Sequence, residues 1–145
     1  MMPRFLVAFS AIVILASASS TRADSDIYTG EAGPYAVAYT RNLTLEASER
    51  PEPFVVQVTR PVGAKASPVI VFSHGFRCEL AGNDPLVGHW ASHGYTVIQP
   101  SHLDAEPGSK ADVYPQHVVW EQRRRDMERS LDLLDQINAA IPEIS

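Results

Sequence analysis

Pro68-Val69-Ile70-Val71-Phe72-Ser73-His74-Gly75-Phe76-Arg77-Cys78 is the stretch whose reading decides the fold. Val69 to Phe72 is a continuous apolar run, β-branched and aromatic, and too short for a helix. Such a run is expected for a strand buried on both faces inside a parallel sheet. It stops at Ser73-His74-Gly75, where a glycine frees the backbone to turn in ways closed to other residues. Polar residues follow at once. A buried strand ending in such a turn delivers the next backbone N–H groups to the carboxyl end of the sheet, where open α/β sheets bind ligands.

The segments on either side fit this frame. Tyr35–Thr40 alternates in polarity as a half-buried strand does, and Asn42–Leu45 extends it past a bend. Glu46–Pro53 reads as a turn and Phe54–Arg60 as a second strand, antiparallel to the first. Asp24–Pro34 reads as a loosely held arm. Downstream, Asn83-Asp84-Pro85 starts a helix with a capping residue and a proline, and Gly94 closes it. Leu86, Trp90 and Ala91 are the residues expected to face the sheet. Tyr95–Gln99 is a second parallel strand stopped by Pro100, completing a right-handed strand–helix–strand crossover. From about Gln116 to Ala140 one long helix is expected. Its apolar stripe would be Met127, Leu131, Leu134, Ile137 and Ile141.

His74-Gly75-Phe76 after such a strand, then a helix, then an apolar run ending in Gln99-Pro100, resembles the α/β-hydrolases. More narrowly it is similar to dienelactone-hydrolase-like, chlorophyllase-like and bacterial cutinase-like esterases, over roughly residues 34–142. The resemblance implies the N-terminal portion of an α/β-hydrolase fold: two antiparallel strands, a parallel β-α-β unit and a long helix. It also implies that the N–H of Phe76 is one of two donors in an oxyanion hole. In that family the serine nucleophile stands on a Gly-x-Ser-x-Gly elbow after the long helix. No window of the sequence matches the elbow, and no triad member is assigned. The expectation is therefore a carboxylic-ester hydrolase of the serine type, held as an N-terminal fragment and inactive alone. The alternative is a non-catalytic exported binding or structural domain derived from the same fold.

Composition narrows the partners. The chain has 145 residues, enough for one domain, with 45% hydrophobic and 20% charged residues and a net charge of −5. Arg123-Arg124-Arg125 is diluted by Glu121, Asp126 and Glu128 and reads as a solvated helix face, so no nucleic-acid partner is expected. Arg4 followed by the apolar run Phe5–Ala16 and then small residues reads as a signal peptide over residues 1–23, too short to span a membrane comfortably. The remainder, 24–145, is then an incomplete hydrolase domain, secreted or periplasmic, with no stable membrane anchor. The expected partner is a small-molecule, lipid or polymer ester.

Several residues invite chemistry that the sequence leaves open. Cys78 is the only cysteine, and in an oxidising compartment it is either a free thiol or paired outside the chain. Its bland reading is a small buried residue. His89 and His93 have the i, i+4 spacing of two zinc ligands, but Trp90 stands where a metalloprotease helix carries glutamate. No metal and no cofactor is expected. His102, at the carboxyl end of the second parallel strand, is either a pocket residue or a loop histidine. His74 reads as a structural part of its turn.

Overall fold

The computed structural model describes residues 30–141; the leader expected over residues 1–23 lies outside them. Strands β1 (Val37–Leu45), β2 (Phe54–Pro61), β3 (Val69–Val71) and β4 (Thr96–Pro100) form one mixed sheet in the order β1-β2-β4-β3. β1 and β2 run antiparallel, from Val37 opposite Pro61 to Leu45 opposite Phe54. Their register shifts between Thr40 and Leu43, where Asn42 adopts a positive φ of 56°. That is the bend the sequence places there, and asparagine tolerates this conformation better than most residues. β2 is antiparallel to β4, and β3 is parallel to it, with Ile70 opposite Val97.

Helix α1 (Asp84–Ser92) links β3 to β4, and α2 (Gln116–Asp132) and α3 (Leu134–Ala140) follow. The two faces of the sheet carry different chemistry. Val56, Val58 and Ile98 join Phe54, Leu45, Ile137 and Ile141 in the apolar core beneath α3. Fully burying such side chains stabilises by about 1.5–3 kcal/mol each. The alternate residues Gln57 and Gln99 face α1. There Gln57 donates to Gln99 and to Asp84, both at 3.0 Å, and accepts from Arg41 at 2.8 Å.

The structure corrects several expectations. Val69 is 41% exposed and Ile70 and Val71 are only half-buried, so the run is not buried on both faces. Among the described strands β3 stands at the edge of the sheet, paired with β4 alone. The single long helix is two: Leu133, at φ −100° and ψ 16°, ends α2 and starts α3. Leu133, Leu134, Ile137 and Ile141 still reach the core, but Leu131 is 52% exposed and Met127 only half-buried. The buried stripe of α2 is instead Val119, Gln122, Arg123, Asp126, Arg129 and Ser130. Its spacing is helical, yet its chemistry is polar, because this face covers the loops after β3 and β4. On α1 the buried residues are Val87, Ala91 and Ser92, while Leu86 is exposed and Trp90 packs edge-on against Phe72.

Smaller features follow the local chemistry. Gly94 takes the left-handed cap at φ +98°. Asn83 makes no side-chain cap; its amide turns back to the Glu79 carbonyl. The arm is held at its end, since Gly33 N–H donates to Ser92 Oγ at 2.8 Å and Tyr35 N–H to the Ser92 carbonyl at 3.1 Å. A side chain on Gly33 would collide with the Ser92 backbone.

Candidate active site

The turn after β3 is built from hydrogen bonds at nearly every residue. Cys78 N–H donates to the Gly75 carbonyl at 3.1 Å, closing a four-residue turn over Phe76 and Arg77. The left-handed position in this turn is Arg77, with φ 56°, and not Gly75. Gly75 is needed for space: a Cβ there would stand 2.9 Å from Cys78 Sγ. A non-glycine residue at positive φ is strained and persists only where its surroundings hold it. Arg77 is held by its own N–H, which donates to Asp104 Oδ2 at 3.1 Å.

His74 is buried and belongs to the turn, as its sequence position indicates. Its Nδ1–H donates to the Gly75 carbonyl at 2.8 Å, and its Nε2 accepts the His102 N–H at 3.4 Å. Burial holds its pKa below the ordinary value, and the nearby His102 and Arg123 push the same way. The ring is therefore neutral and spends both nitrogens on backbone. It has no free atom for proton transfer.

His102 lies in the loop after β4 and is buried in a hydrogen-bond network. Its Nε2 stands 3.0 Å from Ser73 Oγ, and its Nδ1 stands 3.0 Å from Asp126 Oδ2. Asp126 also receives Arg50 Nε at 3.1 Å and Arg129 Nη1 at 2.8 Å on its other oxygen. Arg50 in turn donates to the Ser101 carbonyl at 2.7 Å. The end of β4 and the face of α2 are thus tied through one carboxylate with no exposed surface.

Beside it runs a second buried pair. Arg123 Nη1 donates to both oxygens of Asp104, at 2.9 and 2.8 Å. Its Nη2 donates to Ser73 Oγ at 2.9 Å and to the His74 carbonyl. Burial alone would raise the Asp104 pKa, but the hydrogen bonds from Arg123 and from the Arg77 N–H outweigh it, and the net shift is downward. Only part of the Arg123-Arg124-Arg125 run is a solvated face, since Arg123 is 9% exposed. Arg124 and Arg125 stay outside on Glu121, whose pKa they pull down to about 2.

Phe76 is 44% exposed and stacks on Trp120 of α2, with ring centroids 5.7 Å apart and planes at 23°. The Arg123 guanidinium lies over Trp120, and that of Arg77 over Phe76. The turn therefore touches α2 through both its backbone and its one aromatic side chain.

The other candidates take no part in the buried side-chain network: Cys78 belongs to the turn only, and the α1 histidines lie elsewhere. Cys78 is exposed, not buried, and its thiol points to the Phe76 carbonyl at 3.7 Å. His89 and His93 lie ring to ring at 4.5 Å on α1, and His93 Nε2 meets the Glu31 carbonyl at 3.2 Å. Among the described residues, no group of three or more His, Cys, Asp or Glu side chains is placed to hold a metal ion.

Sequence reasoning missed Asp104, Arg123 and Asp126. A signal was present in α2. Arg123, Asp126, Arg129 and Ser130 recur at i, i+3, i+6 and i+7, the spacing of one helix face.

The mixed sheet of four strands with its helices is that of an α/β protein. The family model described as Chlorophyllase matches residues 26–141, and the chain belongs to that family. A search of curated proteins finds no match.

Proposed function

We propose that the chain forms the oxyanion side of an exported serine carboxylic-ester hydrolase, close in kind to the dienelactone-hydrolase-like and cutinase-like esterases. The observation that carries this reading is the His74-Gly75-Phe76 turn, anchored on both sides of Phe76 at the carboxyl end of β3. When a serine attacks an ester carbonyl, negative charge develops on the carbonyl oxygen. A backbone N–H fixed in advance stabilises that charge without reorganising, and the Phe76 N–H is the donor we assign. The serine that attacks stands on a Gly-x-Ser-x-Gly elbow, which none of the 145 residues supplies. The chain then acts as an N-terminal portion of the catalytic unit and is inactive alone. Export is supported by the apolar leader after Arg4, and a small-molecule, lipid or polymer ester is the substrate class.

A second reading has its own observation. Ser73, His102 and Asp126 stand in the order and spacing of a nucleophile, a base and an orienting acid, at 3.0 and 3.0 Å. Three facts weigh against it. The His102 side chain has no exposed surface, and Arg123 occupies a lone pair of the Ser73 hydroxyl. His102 itself helps line a cavity of about 230 Å³ with Arg50, Glu52, Ser101 and Leu103, but Ser73 does not reach it.

Translating the DNA beyond Ser145 tests the first reading. A strand-like run ending in Gly-x-Ser-x-Gly within a few tens of codons, and aryl-ester turnover only in the extended protein, is the expected result. A stop codon with turnover by the chain itself would overturn it.

A further inference from the structure

Building on the reading of Phe76 as oxyanion donor, we infer that Asp104 and Arg123 are positioning residues that clamp its peptide before charge develops. Phe76 sits between two fixed backbone groups. On one side the His74 carbonyl accepts from Arg123 Nη2, and on the other the Arg77 N–H donates to Asp104 Oδ2 at 3.1 Å. The two anchors are themselves joined, because Arg123 Nη1 holds both Asp104 oxygens. Hydrogen bonds thus close a ring from the His74 carbonyl through Arg123 and Asp104 to the Arg77 N–H. The peptides on either side of Phe76 lie inside that ring.

Three observations favour a clamp over a plain stabilising pair. The Asp104 side chain is fully buried and that of Arg123 is 10% exposed, and a buried ion pair is a weak source of net stability. Arg77 is held at a positive φ, a conformation that needs an external restraint, and the Asp104 carboxylate supplies one at the residue next to the donor. The guanidinium that grips the backbone also lies over Trp120, which stacks on the Phe76 ring, so α2 fixes both parts of the same residue. A planar fork is required here. One guanidinium serves four acceptors on Asp104, Ser73 and His74, which a lysine ammonium on a single point does not match.

The clamp is read on the full chain by amide hydrogen exchange followed by NMR. The amides of Phe76 and Arg77 are compared with those of Val58 and Ile98 in the sheet centre. Asp104→Ala is expected to speed exchange at Arg77 about tenfold or more, with the sheet amides unchanged. Asp104→Asn keeps an oxygen facing the Arg77 N–H and is expected to restore most of the protection. Arg123→Lys keeps the charge and loses the fork, and is expected to speed the same amide. Where Asp104→Ala alone does not fold, the measurement is made with Arg77→Gly added, which removes the strain at positive φ and leaves the amide at position 77 to be read. Unchanged exchange at position 77 in Asp104→Ala, or equal acceleration in the sheet, overturns the clamp. Full protection in Arg123→Lys overturns the part assigned to the fork. Exchange needs no turnover, so failure of the clamp and failure of the hydrolase reading give different results.

Discussion

The Ser73 hydroxyl meets His102 Nε2 at 3.0 Å, and the hydrogen bond joins the end of β3 to the loop after β4 across 29 residues of sequence. In isolation this pair looks like a nucleophile and its base. Arg123 makes the difference, because its Nη2 donates to the same hydroxyl at 2.9 Å. We expect purified protein to show no short-chain aryl-ester turnover above background, with Ser73→Ala and Cys78→Ala indistinguishable from wild type. Turnover lost in Ser73→Ala would make Ser73 the nucleophile and overturn the reading that the elbow lies elsewhere.

In an enzyme that carries the elbow, the backbone and the side chain of Phe76 should separate cleanly. Phe76→Ala keeps the N–H and removes the ring that stacks on Trp120, so substrate binding and preference should change most. Phe76→Pro deletes the donor and should lower kcat about a hundred- to a thousandfold, roughly 3–4 kcal/mol of transition-state stabilisation. A structure of Phe76→Pro shows whether the turn has moved. Equal, small effects from both changes would place the oxyanion donor elsewhere.

Stability should fall on acidification in two windows. Burial first, then the His102 and Arg123 neighbours, hold His74 below its ordinary 6.5. The unfolded chain therefore takes up a proton that the folded chain resists. This contribution is whole above pH 6.5 and is lost as pH falls below it. Asp104 is likewise held below 3.8, so its contribution is present above that pH and lost in the more acidic window beneath it. Thermal melts should show the midpoint dropping between pH 7 and pH 5, with His74→Asn flattening that first step. A midpoint independent of pH over this range in wild type would contradict the buried, neutral assignment of His74.

The flank of β3 opposite β4 carries no partner among the described strands, and Val69 beside it is 41% exposed. An open, apolar edge is a template for association. The isolated protein should melt with a concentration-dependent midpoint and scatter light as it does so, and Val69→Lys should reduce the scattering. A cooperative, concentration-independent melt of a wild-type monomer would show that the edge is harmless.

Protein recovered from outside the cytoplasm should begin near Ser19 or Asp24, after either Ala-Ser-Ala at 16–18 or Thr-Arg-Ala at 21–23. Intact-mass measurement settles this, and an unprocessed Met1 in that fraction would end the export reading.

The strands and turns of this protein were legible in its sequence because their causes are local. The alternation of Tyr35–Thr40, the bend at Asn42, the run ending at Ser73, the helix closing at Gly94 and the strand stopped at Pro100 each need only neighbouring residues to explain them. Phe76 as a candidate donor came instead from the resemblance to the α/β-hydrolases, which the His74-Gly75 turn directly after a strand carries. Three matters were decided only by the tertiary structure. Whether β3 is interior or at an edge depends on which strands lie beside it, and no residue within Val69–Val71 encodes that. The face of α2 that turns inward was misread, because counting apolar residues selects Met127 and Leu131. The loops beneath the helix instead present Ser73, His74, His102 and Asp104, which demand Arg123 and Asp126. Arg123 itself reads as solvated in sequence and is buried in the fold. A charge leaves water only when partners satisfy it, and these partners lie 19 to 50 residues away.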